Sequence, residues 1–120
     1  MNILTFNCGS SSQAFKVYGS ESGGKVTVLA AGKAKNVATK TRADAVIDWK
    51  IGDKNNSTIT DLSSHKLAAE NILQILEEAG ISVDAVGHRF VHGGTFFDHT
   101  VKVDESVMER LRQCVAFAPL

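Results

Sequence analysis

The stretch ILTFNCGSSSQAFKVY, residues 3–18, decides how the fold begins. Residues 3–6 form a short run of apolar and β-branched side chains, which is typical of a buried strand. Residues 7–12 are rich in turn-forming residues, and residues 14–18 then alternate between apolar and polar positions. The stretch therefore predicts two strands joined by a tight, serine-rich turn.

Beyond this hairpin the pattern continues as strands and then changes to a helix. Further strands are predicted over residues 25–31, 45–51 and 57–60. From residue 66 to residue 79 the apolar side chains recur in steps of three and four, which indicates an amphipathic helix. Ser63 or Ser64 can cap the start of this helix, and Gly80 suits the position just past its end.

The last third of the chain predicts one more strand and one more helix. The strand covers residues 85–91, and a short extended piece covers residues 100–103. Asp104 then caps a helix that has its apolar residues on one face, namely Val107, Met108, Leu111 and Val115. Strands followed by helix, strand and helix predict an α/β fold with a mixed sheet.

Composition excludes several classes of protein. The chain has 120 residues, 43% of them hydrophobic, which is enough for one domain with a real core. Thirteen Lys and Arg residues balance thirteen Asp and Glu residues, so we expect no nucleic-acid partner and no membrane partner. Cys8 and Cys114 match no disulfide or zinc pattern, and the N-terminus does not resemble a signal peptide. These features favour reduced cysteines in a cytoplasmic protein.

The serine-rich turn, NCGSSS at residues 7–12, is the first candidate binding site. A tight turn made of Gly and Ser exposes backbone N–H groups and hydroxyl donors, which suit a phosphate. Asn7 could orient a metal-bound water or a phosphate oxygen. The alternative is a plain surface turn, because Gly/Ser turns are common.

The second candidate is GHRFVHGG, residues 87–94. Alternation along the predicted strand puts Arg89 and Val91 on one face and the two histidines of this segment on the other. A guanidinium at a sheet needs a partner, and a carboxylate or phosphate is a natural one. The alternative is a structural ion pair for Arg89, with the histidines hydrogen-bonded in the core.

Together the two segments resemble the two signatures of the acetate kinase family. Residues 7–12 are similar to its amino-terminal signature, and residues 86–94 are similar to its second signature, in the same order and at the same separation. The ending Ala118-Pro119-Leu120 is similar to a segment that continues in the family as His-Asn-Pro. The resemblance covers essentially the whole chain.

The resemblance implies a ribonuclease-H-like βββαβαβα domain, as found in acetate and sugar kinases, heat-shock ATPases and actin. It also implies reversible phosphoryl transfer between ATP and acetate, giving acetyl phosphate and ADP, with Mg²⁺. Residue by residue, it implies that Asn7 helps to hold Mg²⁺ and the nucleotide phosphates and that Ser10 and Ser12 line the same loop. Arg89 would bind the acetate carboxylate and act in catalysis, and Val91 and Leu120 would enclose its methyl group.

The chain departs from the family pattern at one position of the first signature. The family has a Lys or Arg two residues after the last serine, where this chain has Ala14. Lys16 lies two residues further on and therefore on the same face of the strand. We expect Lys16 to take over the contact with the nucleotide phosphates.

The chain is also short for this family. We expect residues 1–120 to be the amino-terminal, acetate-side domain of a two-domain kinase, inactive alone and part of a homodimer when complete. Two alternatives stay open, a propionate kinase and a non-catalytic domain that binds or regulates. Acyl preference is open because one methylene in an apolar pocket discriminates by only about 1–3 kcal/mol.

Overall fold

The computed structural model describes residues 1–39, 45–89 and 94–114, and the chain divides into two compact units, residues 1–89 and 90–120. The described part of the first unit contains six strands and one helix. In chain order they are β1 (Asn2–Cys8), β2 (Ser12–Ser20), β3 (Val26–Lys35), β4 (Val46–Ile51), β5 (Lys54–Ile59), α1 (His65–Glu78) and β6 (Ala85–Arg89). The described part of the second unit contains the helix α2 (Glu105–Cys114).

The six strands form one mixed sheet in the order β5-β4-β3-β2-β1-β6. Strands β1 to β5 are antiparallel neighbours, as their short connections require, whereas β6 runs parallel to β1 after the long connection through α1. The mixed sheet predicted from the sequence is confirmed. Because β6 lies beside β1, the end of the first strand and the end of the last strand of this unit are neighbours.

Alternation along the strands gives the sheet a core face and an outer face. The core-face side chains pack with three buried residues of α1, Ala68, Ile72 and Leu76, in one hydrophobic cluster. The strands contribute to this cluster Leu4, Phe6, Phe15, Val17, Ala30, Ala34 and Ile47. The outer face carries polar and small side chains, and it is there that the candidate site lies.

Gly32 on β3 shows how tightly the core face is packed. A Cβ atom at this position would lie 2.6 Å from the Phe15 ring and 2.5 Å from the backbone oxygen of Asp48. No carbon atom fits at such distances. The ring of Phe15 packs directly against the backbone of Gly32, which is possible because glycine has no side chain.

The ends of helix α1 confirm the sequence prediction. Ser64 is the N-cap, and its hydroxyl accepts a hydrogen bond of 3.1 Å from the backbone N–H of Leu67. Gly80 follows the C-cap with φ of +75°, a left-handed conformation that favours glycine. None of the helices in the described ranges is long and apolar enough to cross a membrane.

Hydrogen bonds tie the start of β1 to the residues just before β6. The backbone N–H of Asn2 donates to the carboxylate of Asp84 (2.7 Å), and the N–H of Asp84 donates to the carbonyl of Asn2 (2.9 Å). The side-chain amide of Asn2 also donates to the carbonyl of Ser82 (2.8 Å). These contacts fix the register of the parallel pair.

Two sequence predictions concern the residues that lead into α2. Asp104 caps α2 as predicted, because its carboxylate accepts a hydrogen bond of 2.9 Å from the N–H of Val107. Residues 100–103, predicted as a short extended piece, carry no strand pairing and lead into α2.

Candidate functional site

The parallel pairing of β1 and β6 brings the two candidate segments together. Asn7 near the end of β1 and Arg89 at the end of β6 are directly paired in register. Both residues line one cavity of about 520 Å³ on the sheet. Two residues that lie 82 positions apart in sequence thus meet at neighbouring strand ends, where ligands of α/β sheets commonly bind.

Strand β2 contributes a second cation to this cavity. Ala14 is the cross-strand partner of Asn7, and Lys16 is the partner of Thr5, so both share the outer face with Asn7. The alternation that placed Lys16 on the face of Ala14 is therefore observed. The residues that line the cavity are Thr5, Phe6, Asn7, Ala14, Phe15, Lys16, Ala31, Gly32, Gly87, His88 and Arg89.

The charged residues that the structure describes in the lining of this cavity are both positive. They are Lys16 and Arg89, and no Asp or Glu is among the described lining residues. Within residues 1–39, 45–89 and 94–114, Arg89 forms no ion pair, so the structural ion pair considered for it is not observed there. An exposed guanidinium next to an amide, with an ammonium group on the same face, suits a carboxylate or phosphate ligand.

Small side chains leave the space that this cavity occupies. Ala14, Ala31 and Gly87 stand on the outer face of three different strands and all line the cavity. Their positions were not singled out from the sequence, because a small residue in a strand gives no chemical signal of its own. Counting by the period of two from Lys16 and Arg89 would have found Ala14 and Gly87, whereas Ala31 depends on the register of β2 with β3.

Ser10 and Ser12 belong to the turn beside the cavity and are not among its lining residues. The turn itself is shorter than predicted, because β1 continues to Cys8 and β2 begins at Ser12. Ser12 lies on the outer face, opposite Lys35 of β3. The structure therefore brings Asn7, Lys16 and Arg89 to one cavity and leaves the two serines adjacent to it.

Three carbonyl groups of the turn accept hydrogen bonds from the protein. The carbonyl of Ser12 accepts from the N–H of Gly9 (2.8 Å), and that of Ser11 accepts from the N–H of Val37 (2.9 Å). Nε2 of His65 donates to the carbonyl of Gly9 (2.7 Å). His65 directly precedes the helix predicted over residues 66–79, and its contact with a turn 56 residues away was not predictable from local pattern.

The remaining predicted residues fall into two groups. Val91 and Leu120, predicted to enclose a methyl group, lie outside the described residues. His88 is described, and its ring stacks on Phe6 with centroids 5.4 Å apart and planes 30° from parallel. Aromatic contact with a core residue gives His88 a packing role on the side of β6 opposite to Arg89.

Cys8 is not suited to act as a nucleophile. Although the residue as a whole is exposed, partial burial of its thiol raises the pKa above the ordinary value. The thiolate is the reactive form, and a raised pKa leaves the thiol protonated at neutral pH. Covalent catalysis by this cysteine is therefore disfavoured.

A metal at this site would depend on the ligand that accompanies it. In the described ranges no three His, Cys, Asp or Glu side chains are close enough to hold a metal ion. The amide oxygen of Asn7 is a hard ligand that fits Mg²⁺, which commonly takes one or two protein oxygens together with substrate phosphates and waters. The residues present therefore fit Mg²⁺ only as a partner of a bound phosphate.

Solved structures with the same arrangement define the class of this protein. The chain is similar to the acetate kinase of Entamoeba histolytica, with a TM-score of 0.81 and 34% identity over 99% of this chain and 28% of that one. It is also similar to a propionate kinase of Francisella tularensis, with a TM-score of 0.82 and 31% identity over 99% of this chain and 30% of that one. The fold is the ribonuclease-H-like α/β fold that these kinases share.

Sequence comparison gives the family. The model of the acetokinase family matches residues 2–120, and the chain belongs to that family. It is 37% identical to the acetate kinase of Thermoanaerobacter pseudethanolicus over 100% of this chain, and 40% identical to acetate kinase 2 of Photobacterium profundum over 98% of it. The chain spans about 30% of the length of these relatives.

The element order matches the βββαβαβα pattern expected from the resemblance, with one addition. Strands β1, β2 and β3 are followed by α1, β6 and α2, which correspond to the first six elements of the pattern. The hairpin of β4 and β5 is inserted before α1 and extends the sheet at the side of β3. The candidate site lies towards the opposite edge of the sheet, mainly on β2, β1 and β6.

Proposed function

We propose that this chain forms the acetate-binding part of an ATP-dependent acetate kinase. The observation that carries the proposal is the pairing of Arg89 with Asn7 in a cavity that has two cations and no carboxylate. Membership of the acetokinase family supports the assignment of an acyl anion as the ligand. In the complete protein the reaction is reversible phosphoryl transfer between ATP and acetate, giving acetyl phosphate and ADP.

Arg89 binds the acetate carboxylate in this proposal. A guanidinium can donate two parallel hydrogen bonds to a carboxylate, which fixes the acetate with one oxygen directed at the nucleotide. That oxygen attacks the γ-phosphorus of ATP, the bond to the bridging oxygen breaks, and ADP leaves with the electron pair. Such transfers need positioning and charge neutralisation rather than covalent work by the protein, and a cation at Arg89 supplies both.

Asn7, Ser10, Ser12 and Lys16 act on the phosphate side of the same proposal. Lys16 reaches into the cavity from β2 and offsets phosphate charge, while Asn7 offers an amide oxygen to Mg²⁺. Bound Mg²⁺ would neutralise the phosphate oxygens during transfer. The hydroxyls of Ser10 and Ser12 add donors from the neighbouring turn, and Val91 and Leu120 would exclude water around the acetate methyl group.

Two further properties belong to the proposal for the complete protein. We place the protein in the cytoplasm, which is consistent with the free cysteines Cys8 and Cys114. We also propose a homodimer, on the strength of the family resemblance.

A propionate kinase is the second candidate. The similarity to the propionate kinase of F. tularensis is as high in TM-score as the similarity to the acetate kinase structure. Both acids present the same carboxylate to Arg89, so only the pocket for the alkyl group separates them. Initial rates with acetate and with propionate at equal concentration distinguish the two candidates directly.

The proposal is tested by replacing Arg89 in the protein that contains this chain and measuring acetyl phosphate formed from acetate and ATP. Arg89→Ala should lower kcat/KM for acetate by about 100-fold or more, and Arg89→Lys should recover only part of the loss because it lacks the planar fork. Arg112→Ala is the matched control, since Arg112 forms an exposed pair with Glu109 on α2.

Three results would count against the proposal. Unchanged kcat/KM in Arg89→Ala would remove Arg89 from the site, and an equal loss in Arg112→Ala would indicate a general effect on folding. Saturable acetate binding without any phosphoryl transfer by the complete protein would favour the alternative of a non-catalytic binding domain.

A further inference from the structure

Three lysines surround one alanine on the outer face of the sheet. Ala31 of β3 is paired in register with Lys16 of β2 on one side and with Lys50 of β4 on the other. Lys33 stands two residues further along β3 and so shares this face. We call Lys16, Lys33 and Lys50 the lysine triangle.

The distances within the lysine triangle allow its ammonium groups to converge. Directly paired residues on neighbouring strands have Cα atoms about 4.5–5.5 Å apart, and residues on one face of a strand follow at about 6.5–7 Å. Lys16 and Lys50 are two strand spacings apart, about 10 Å, and two extended lysine side chains that lean towards each other together span that distance. The small side chain of Ala31 therefore forms the floor of a depression that three ammonium groups can reach.

One carboxylate, that of Asp48, lies beside the lysine triangle, and its charge is matched by that of Lys35, which is not part of the triangle. Asp48 is the cross-strand partner of Lys33, but one of its oxygens pairs with Nζ of Lys35 (2.9 Å) and the other accepts from the hydroxyl of Ser57 (2.7 Å). In the part of the chain that the structure describes, Lys16, Lys33 and Lys50 form no ion pair.

The depression adjoins the candidate site. A second cavity, of about 570 Å³, is lined by Lys33, by Lys50 and by the ion pair of Lys35 with Asp48, and it shares Ala31 and Gly32 with the cavity of Asn7 and Arg89. Lys16 lines the first cavity, so the lysine triangle spans the boundary between the two. A chain with no net charge thus concentrates cations on one continuous surface.

We propose that the lysine triangle is a phosphate subsite next to the Arg89 cavity, with Lys33 as a binding residue. Its ligand is a phosphate group, which carries up to two negative charges and accepts hydrogen bonds from several ammonium groups at once. The inference rests on the proposed function only in its choice of a nucleotide tail as one source of the phosphate. Free inorganic phosphate is the other source.

The experiment measures phosphate binding by the purified 120-residue chain at constant ionic strength. Inorganic phosphate and ADP are titrated separately, with adenosine as the probe that lacks phosphate, and the backbone amide signals of Ala31, Gly32 and Lys33 are followed by NMR. Constant ionic strength is required because exposed charges are screened by salt. Neither acetate nor turnover is involved, so failure here is distinct from failure of the proposed function.

Lys33→Gln should weaken phosphate binding by about three- to tenfold, and Lys33→Arg should restore most of it. Lys25→Gln is the matched control, because Lys25 carries the same charge just before the other end of β3 and lines none of the cavities described. Tighter binding of ADP than of inorganic phosphate assigns the subsite to a nucleotide tail, and the reverse order assigns it to free phosphate.

Either order supports the subsite, provided that adenosine leaves the three amide signals unchanged. The proposal is overturned if neither probe shifts these signals, or if Lys25→Gln weakens binding as much as Lys33→Gln. A circular dichroism spectrum of each variant confirms that the sheet is intact, which is expected because Lys33 is exposed.

Discussion

Asp48 shows how one carboxylate shapes the electrostatics of the outer face. The hydrogen bond from Lys35 holds the pKa of Asp48 below its ordinary range, and the hydrogen bond from Ser57 lowers it further. Both contacts favour the charged form of the carboxylate. Because Asp48 is the cross-strand partner of Lys33, its negative charge also acts on the neighbouring lysines.

The two hydrogen bonds to Asp48 should be visible in how this carboxylate titrates. Lys35→Gln should raise the pKa of Asp48 towards its ordinary value, and Ser57→Ala should raise it by less, as followed by carboxyl-carbon NMR. Because the folded-state pKa is lowered, the contribution of Asp48 to stability is present above its unfolded pKa and is lost as the pH falls through the folded value. A pKa that does not move in Lys35→Gln would contradict the assignment.

At the residue scale, the sequence predicted those residues of the candidate site whose polar or charged side chains indicate a binding role. Asn7, Lys16 and Arg89 were chosen for their side chains, and the structure places them around one cavity. Lys33 lies just beyond the strand predicted over residues 25–31 and was not chosen as a site residue, and in the structure it is exposed. Its position beside Ala14 depends on the register of β2 and β3, which no local pattern specifies.

Strand β3 illustrates a constraint that belongs to an element rather than to a site. Its middle carries Gly32, where the Phe15 ring and the Asp48 carbonyl both stand too close for a Cβ atom. The strand therefore has no side chain at the position that pairs with Phe15 of β2 on one side and with Trp49 of β4 on the other. The ring fills this gap and connects β2 with β3 in the core.

Gly32→Ala should destabilise the protein by about 1–3 kcal/mol, because an added methyl group must displace both the ring and the backbone. Chemical denaturation measured by tryptophan fluorescence gives the change in free energy of unfolding. Gly87→Ala is the control, since a Cβ there would lie 3.8 Å from Thr5, an ordinary contact, and should change stability by about 0.5 kcal/mol or less. Equal stability of Gly32→Ala and the parent chain would show that β3 can shift.

Elements with strong local signals were predicted well. Helix α1 has both a period and caps, and its cap at Ser64 and its glycine at Gly80 are where the sequence placed them. Strand β3 was predicted to end at residue 31 but continues to Lys35. The sequence Gly-Lys-Ala-Lys has little β-propensity, and pairing on both sides with β2 and β4 overrides it.

At the scale of the whole molecule, the described residues of the main hydrophobic core all lie within residues 1–89. The buried residues of the core cluster run from Leu4 to Leu76, and the partly buried ones packed against it extend to Val83. The second unit has its own buried side chains, Val107 and Cys114. Stability of the sheet should therefore depend mainly on the first unit.

A chain shortened to residues 1–89 should retain the far-ultraviolet spectrum of a folded α/β unit and unfold cooperatively on heating. A chain shortened to residues 1–79 serves as the comparison. It lacks β6 and the Asn2–Asp84 hydrogen bonds, so β1 becomes an open edge and the midpoint of unfolding should fall. Loss of cooperative unfolding in the 1–89 chain would show that residues 90–120 are needed for the core.

The contacts of Asn2 with Asp84 also have a consequence for synthesis on the ribosome. The first strand is made early, but its parallel neighbour follows 82 residues later. Hairpins can close as they emerge, whereas one side of β1 must wait, with its backbone donors and acceptors paired only to water. The nascent polypeptide therefore completes its sheet, and with it the pairing of Asn7 with Arg89, only after most of this chain has been translated.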